Sequence, residues 1–119
     1  MDRKELERHI AEVYGTVADY PWNSAPRYAV FRHRENRKWF AVIMDLSPDK
    51  LGLAGEGMLD VVNLKCDPLL AGSLRENPGI FPAYHMNKYH WITVLLDGTV
   101  EPTMLKWLVE MSHKNTKGL

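Results

Sequence analysis

The order of periodicities along this chain predicts an α+β fold, a two-layer sandwich with an antiparallel five-stranded sheet. Its elements run α-β-β-β-α-β-β-α. Two amphipathic helices, one near each end, carry one apolar stripe each and must bury it against another layer. Between them lie apolar runs of strand length bounded by turn residues. No linker, repeat or low-complexity tract divides the 119 residues, a length suited to a single domain, 1–119, with one core.

Asp2 followed by Glu5 forms a capping-box pattern, and Leu6, Ile10, Val13 and Tyr14 recur on one helical face that ends at Gly15. Residues 16–26 form a connector with Pro21, Asn23, Ser24 and Pro26, anchored by Trp22. From Arg27 to His33 side chains alternate, with Tyr28, Val30 and Arg32 on one face and Ala29 and Phe31 on the other. Trp39 to Met44 is almost continuously apolar. The intervening His33-Arg34-Glu35-Asn36-Arg37-Lys38 makes a β-hairpin with an exposed basic tip.

Ser47-Pro48-Asp49-Lys50 is a turn, and Gly52, Gly55 and Gly57 mark a flexible or bulged stretch. Met58 to Lys65 is the third strand. Asp67 as N-cap and Pro68 at the first helical position start a short helix through Leu69, Leu70 and Leu74, stopped by Asn77-Pro78-Gly79. The segment that begins at Pro82 supplies a fourth extended piece, and Tyr89 to Leu96 a fifth strand ending at Asp97-Gly98. Pro102 opens the last helix, with Leu105, Leu108 and Val109 as its stripe and Met104 and Met111 beside it. Lys114 and Lys117 suit the negative pole of its dipole. One face of the sheet is expected to be wet.

Fifteen basic residues balance fifteen acidic ones, so any grip on nucleic acid must come from a local patch. No apolar run approaches the roughly 20 residues of a membrane span, and the charged start Met1-Asp2-Arg3-Lys4-Glu5 is not a signal core. These features, with the single cysteine, Cys66, predict a cytoplasmic protein with no membrane contact.

Three stretches carry a family resemblance. They are Pro82-Ala83-Tyr84-His85-Met86-Asn87-Lys88-Tyr89-His90-Trp91, Lys65-Cys66-Asp67-Pro68 and Lys38-Trp39-Phe40-Ala41. Together they resemble the MmcQ/YjbR family of small bacterial proteins, over about residues 1–115. The resemblance implies a fold similar to that of type III secretion chaperones, sometimes compared with frataxin-like proteins. It also implies DNA binding through a double-wing arrangement.

Catalytic constellations are missing from the sequence. His85 and His90, five residues apart, fall on opposite faces of a regular strand, unlike the spacings that chelate metals easily. Cys66 precedes a helix N-terminus, where a dipole stabilises a thiolate, but the adjacent Asp67 opposes that, and a buried small hydrophobe is the competing reading. Ser24, Ser47, Ser73 and Ser112 sit in no nucleophile elbow. Gly52-Leu53-Ala54-Gly55-Glu56-Gly57 lacks a phosphate-loop lysine. The expectation is a non-enzymatic protein without cofactor or metal, folding without an ion.

Binding chemistry is better represented. Arg27, Arg32, Arg34, Arg37 and Lys38 against Glu35 give a local charge of +4, suited to the phosphates of double-stranded DNA, although a solvated hairpin tip has the same composition. Tyr84, His85, Asn87, Lys88, Tyr89 and His90 can stack on bases and bond phosphate, or rim a pocket for a peptide or small ligand. Two alternatives to DNA therefore stand: a secretion-chaperone-like homodimer or protein-binding module, and a small-ligand-binding domain. Tyr84 to Trp91 is expected to be largely buried, with His85 or Asn87 bonded to backbone, so that His85→Ala costs about 1–3 kcal/mol. Trp39, Trp91 and Trp107 are expected in or near the core.

Overall fold

Asp2 and Glu5 start the first helix as their spacing predicts. In the computed structural model, which describes residues 1–117, the Glu5 amide donates to Asp2 Oδ1 at 2.9 Å and the Asp2 amide to Glu5 Oε1 at 3.0 Å. The last two residues of the expected domain lie outside the described ones. α1 spans Arg3–Tyr14 and closes on Gly15, whose φ of 64° turns the chain and whose amide donates to Ala11 O. β1 (Ala29–Arg32) and β2 (Trp39–Leu46) form the hairpin, and β3 spans Leu59–Lys65. Pro48–Leu51 winds into a single 3-10 turn between β2 and β3. α2 (Pro68–Leu74) is capped by Asp67, whose carboxylate accepts from the Leu69 amide. β4 is Ile80–Pro82, β5 is Trp91–Leu95, and α3 runs Pro102–Lys117.

The sheet order is β1-β2-β3-β5-β4, antiparallel throughout. All three helices lie on one face. Leu6 and Ile10 of α1, Ala71 and Leu74 of α2, and Leu105, Leu108 and Val109 of α3 meet Phe31, Ile43, Val62, Leu64, Ile92 and Val94 in the main core. Cys66 lies in this core, 2% exposed, and burial pushes its thiol up from its ordinary value, so it is a small buried hydrophobe.

Three expectations need correction. The second sheet face is not wet. Val30, Val42, Met44, Leu46 and Val61 form a smaller apolar cluster there, against Trp22, Tyr28, Trp39, Leu51, Tyr84 and Leu95. The connector covers this face because Asp19 pairs with Val30, adding main-chain bonds to the β1 edge. The fourth strand lies upstream of its expected place, at Ile80–Pro82, where Pro82 can sit because β4 is an edge strand. Residues 83–90 are a loop, and Trp107 is 52% exposed. The buried stripe of α3 continues through Ser112 and Thr116, and Trp107, two residues past Leu105, falls outside it.

A register shift in the hairpin decides which way Trp39 faces. Phe31 pairs with Ala41 but Arg32 pairs with Trp39, leaving Phe40 as an extra residue. Without this bulge Trp39 would share the helix-side face of Ala41. With it, Phe40 joins the main core and Trp39 turns to the helix-free face.

Candidate functional site

Antiparallel pairing brings both sequence-predicted segments to the same end of the sheet. The β1–β2 loop (33–38), the end of β3 at Lys65, and the β4–β5 loop (83–90) all lie there, as the register requires. The C-terminal turns of α3 reach it too, since Ser112 Oγ accepts from the Lys65 amide at 2.8 Å and Asn36 Nδ2 donates to Thr116 O at 3.1 Å.

The hairpin loop is stapled to α3. His33, 4% exposed, bonds Thr116 Oγ1 through Nε2 at 2.7 Å; because Thr116 gives its own hydrogen to Ser112 O, the histidine donates. The His33 ring lies 4.3 Å from that of His113, which stacks on Tyr14 at 4.4 Å. Tyr14 donates to Glu110 at 2.6 Å across α1 and α3. Burial lowers His33 and His113 below the ordinary histidine range, and for His113 the neighbouring His33 adds to the effect. Arg37 takes a φ of 61° to close the loop, its amide donating to His33 O.

The predicted cations divide. Arg34, Arg37 and Lys38 stand exposed at the loop end, and among the described residues no carboxylate lies within ion-pair distance of them. Arg27 does not join them. It sits at the opposite end of the sheet, 2.9 Å from Asp45 and 3.4 Å from Asp60. Arg32 is held by Asp19 at 3.0 Å and lies over the Trp39 ring at 5.6 Å. Sequence proximity could not reveal this, because a strand separates its two ends by its whole length.

In the 83–90 loop Ala83 is buried and Tyr84 and Met86 are half-buried, but the remaining residues are exposed rather than buried, and main-chain bonds hold the loop. Asn63 and Thr93, fully buried neighbours on β3 and β5, clamp both polar groups of Tyr84: the Tyr84 amide donates to Thr93 Oγ1 at 3.0 Å, and Asn63 Nδ2 donates to Tyr84 O at 2.8 Å. Thr93 in turn donates to Asn63 Oδ1. Beyond the clamp, exposed His85 adopts a φ of 64° with its ring 3.9 Å from that of Tyr84, and no side-chain bond to backbone anchors it. Asn87 takes the anchoring role, its Oδ1 accepting from the Tyr89 amide at 2.8 Å and its carbonyl from the Trp91 amide at 2.9 Å. Lys88 Nζ donates to Ala83 O, Arg75 donates to Lys88 O at 2.7 Å, and His90 is exposed.

Sequence reasoning did not single out Lys65, Arg75, Lys114 and Lys117 as members of this end, nor Asn63 and Thr93 as the clamp. The clamp had a faint signal: each is a polar residue within an otherwise apolar strand.

On the helix-free face a groove of about 410 Å³ is lined by Trp22, Ser24, Ala25, Tyr28, Trp39, Val42, Met44, Asn63, His85 and Met86. Among the described residues no group of three or more His, Cys, Asp or Glu gathers as a metal site, and no helix is long and apolar enough to cross a membrane.

These features define an α+β domain with three helices on one sheet face, a basic loop end and an aromatic groove. The chain belongs to the YjbR family, whose model matches residues 11–115. It is 44% identical over 117 residues to a Bacillus subtilis protein described as "Uncharacterized protein YyaQ", covering 98% of this chain and 99% of that one. It is 39% identical over 59 residues to the Escherichia coli protein described as "Uncharacterized protein YjbR", about half of each chain. A crystal structure of a Pseudomonas syringae protein superposes with a TM-score of 0.96 at 47% identity, covering 98% of this chain and 99% of that one. A Deinococcus radiodurans structure superposes at 0.70 with 27% identity, covering 94% and 75%.

Proposed function

We propose that this protein binds double-stranded DNA through the basic end of its sheet, without catalysis or cofactor. The observation that carries this reading is charge segregation within a neutral chain. The loop end gathers Arg34, Arg37, Lys38, Lys65, Arg75, Lys88, Lys114 and Lys117 around Glu35, Asp67 and Glu110. The opposite end carries Asp2, Asp45, Asp49, Asp60, Asp97 and Glu101 with Arg3, Lys4, Arg27 and Lys50. Such a dipolar arrangement attracts a polyanion to one end and orients the molecule as it approaches.

Geometry adds to the charge. Three strand spacings separate the centres of the two loops, about 14 Å, comparable with the ~12 Å width of the major groove. Both loops can therefore reach phosphates that flank one groove. The stapled hairpin is already ordered, which spares the entropy of fixing it on binding, and Tyr89, 74% exposed, supplies a hydroxyl or a ring beside the phosphates.

A titration of duplex DNA at several salt concentrations tests the reading. About four phosphate contacts give a slope of log affinity against log salt of roughly −3 to −4. Replacing Arg34 and Arg37 together by Ala should weaken binding alike on unrelated duplexes and make the slope shallower by about 2. Stability should fall by about 1 kcal/mol or less, since both residues are exposed and the pair gives up one exposed hydrogen bond, from Arg34 to Gly15 O. Absence of binding at low salt, or a slope indifferent to these arginines, contradicts the proposal.

A further inference from the structure

The groove on the helix-free face adjoins the proposed DNA contact through His85 and Met86 of the β4–β5 loop, but none of the cations of that contact lines it, and it has the features of a separate site. Its 410 Å³ lies within the roughly 300–1,000 Å³ typical of small-molecule pockets. Trp22 stands perpendicular to both neighbouring rings, at 88° and 5.5 Å to Trp39 and at 85° and 6.1 Å to Tyr28. All three rings line the groove. Met44 and Met86 line it with flexible thioethers that adapt to a flat guest. Among the described residues no carboxylate, ammonium or guanidinium lines it, and His85 brings an imidazole to it. A charged guest would lose its hydration there without a counter-ion.

Asn63 supplies the second, independent observation. It is fully buried and lines this groove. Its Nδ2 makes one hydrogen bond among the described residues, to Tyr84 O, so one of its two N–H groups has no acceptor. An acceptor atom arriving in the groove would use that second N–H. The amide is locked in orientation, since Thr93 holds Oδ1 from the other side.

We infer that the groove binds a neutral, planar aromatic molecule carrying a hydrogen-bond acceptor, a ring nitrogen or a carbonyl, with its ring against Trp22 and Trp39 and its acceptor on Asn63 Nδ2–H. The bulge at Phe40 is what makes this site, because it turns Trp39 away from the main core.

The test compares three probes of nearly equal shape on the wild-type protein by ¹H–¹⁵N NMR. They are quinoline, which has a ring-nitrogen acceptor, naphthalene, which has none, and N-methylquinolinium, which is cationic. Quinoline should shift the Trp22 and Trp39 indole N–H signals and the Asn63 side-chain amide, and should bind about fivefold more tightly than naphthalene, the worth of one net hydrogen bond. N-methylquinolinium should bind more weakly than quinoline. Trp39→Ala should lose quinoline binding while its main-core signals remain. Because the probe comparison uses the unaltered protein, a poorly folded variant would not spoil it. Naphthalene binding as tightly as quinoline, a preference for the cation, or no shift of Trp22 and Trp39 at millimolar quinoline would each overturn the inference. None of these outcomes bears on DNA binding, which the salt titration decides separately.

Discussion

The two loops at the basic end solve the same problem in opposite ways. Each turns on a non-glycine residue in the left-handed region, Arg37 in the hairpin and His85 in the β4–β5 loop. In the hairpin loop the side chains do the fastening. His33 goes inside and bonds Thr116, while Asn36 reaches the last turn of α3. In the other loop the fastening groups belong mostly to the main chain, gripped from below by Asn63 and Thr93, and the loop's own polar side chains stay outside. A histidine in a polar stretch can thus be a buried staple or an exposed rim, and the deciding factor is whether a helix end lies beneath it.

The largest effect that separates the two schemes should come from the clamp. Thr93→Val keeps the volume but strands Asn63 Oδ1 and the Tyr84 amide together, so denaturant unfolding should show a loss of about 2–4 kcal/mol. A loss below about 0.5 kcal/mol would mean that water replaces the hydroxyl and that the loop is not held from beneath.

The staple should cost somewhat less, and its cost should depend on pH. His33→Ala removes a buried bond and leaves a space beside Phe40, a loss of about 1–3 kcal/mol. Burial depresses His9, His33 and His113 in the folded protein below their ordinary value of 6.5. The unfolded chain therefore binds these protons first, and the stabilisation is complete above about pH 6.5 and is lost as pH falls toward the folded values. Glu35 and Glu110 oppose the shift of His113 and Lys117 adds to it, so the direction rests on burial. Melting temperatures between pH 7.5 and 5 should fall, and His33→Gln should flatten the decline. A melting temperature that rises on acidification would contradict the assignment of His33 as a buried neutral ring.

The smallest effect belongs to His85. Since its side chain is exposed and makes no hydrogen bond among the described residues, His85→Ala should change stability by less than about 0.5 kcal/mol, in place of the 1–3 kcal/mol cost expected of a buried residue. His85→Gly should stabilise by up to about 1 kcal/mol, because glycine takes a φ of 64° without the penalty of a Cβ. A clear destabilisation by Gly would show that the packing of the imidazole on Tyr84 outweighs the backbone strain.

Local chemistry made much of the fold legible. The Asp2–Glu5 box, Gly15, Asp67-Pro68 and the alternation through Val30 and Phe31 each encode an element within a few residues, and the elements form where those signals lie. The register shift was not legible, because an extra residue such as Phe40 is extra only with respect to its partner strand. Three residues with a proline gave β4 too little pattern to register. The basic end could be read only in part. Arg34, Arg37 and Lys38 are adjacent in sequence, whereas Lys65, Arg75, Lys88 and Lys117 join them through strand order and the packing of α3. Trp107 could have been assigned to the surface from helical spacing alone, since it lies off the line from Leu105 to Ser112.

The central claim is that one end of a neutral molecule is built to meet DNA. A ¹H–¹⁵N map of the protein titrated with a short duplex at low salt tests it most directly. The account predicts shifts concentrated at Arg34, Arg37, Lys38, Lys65, Lys88 and Tyr89, with Asp45, Asp49, Asp60 and Asp97 at the far end unmoved. Shifts centred on the acidic end or on the exposed Trp107 face, or a spectrum that the duplex leaves unchanged, would contradict it.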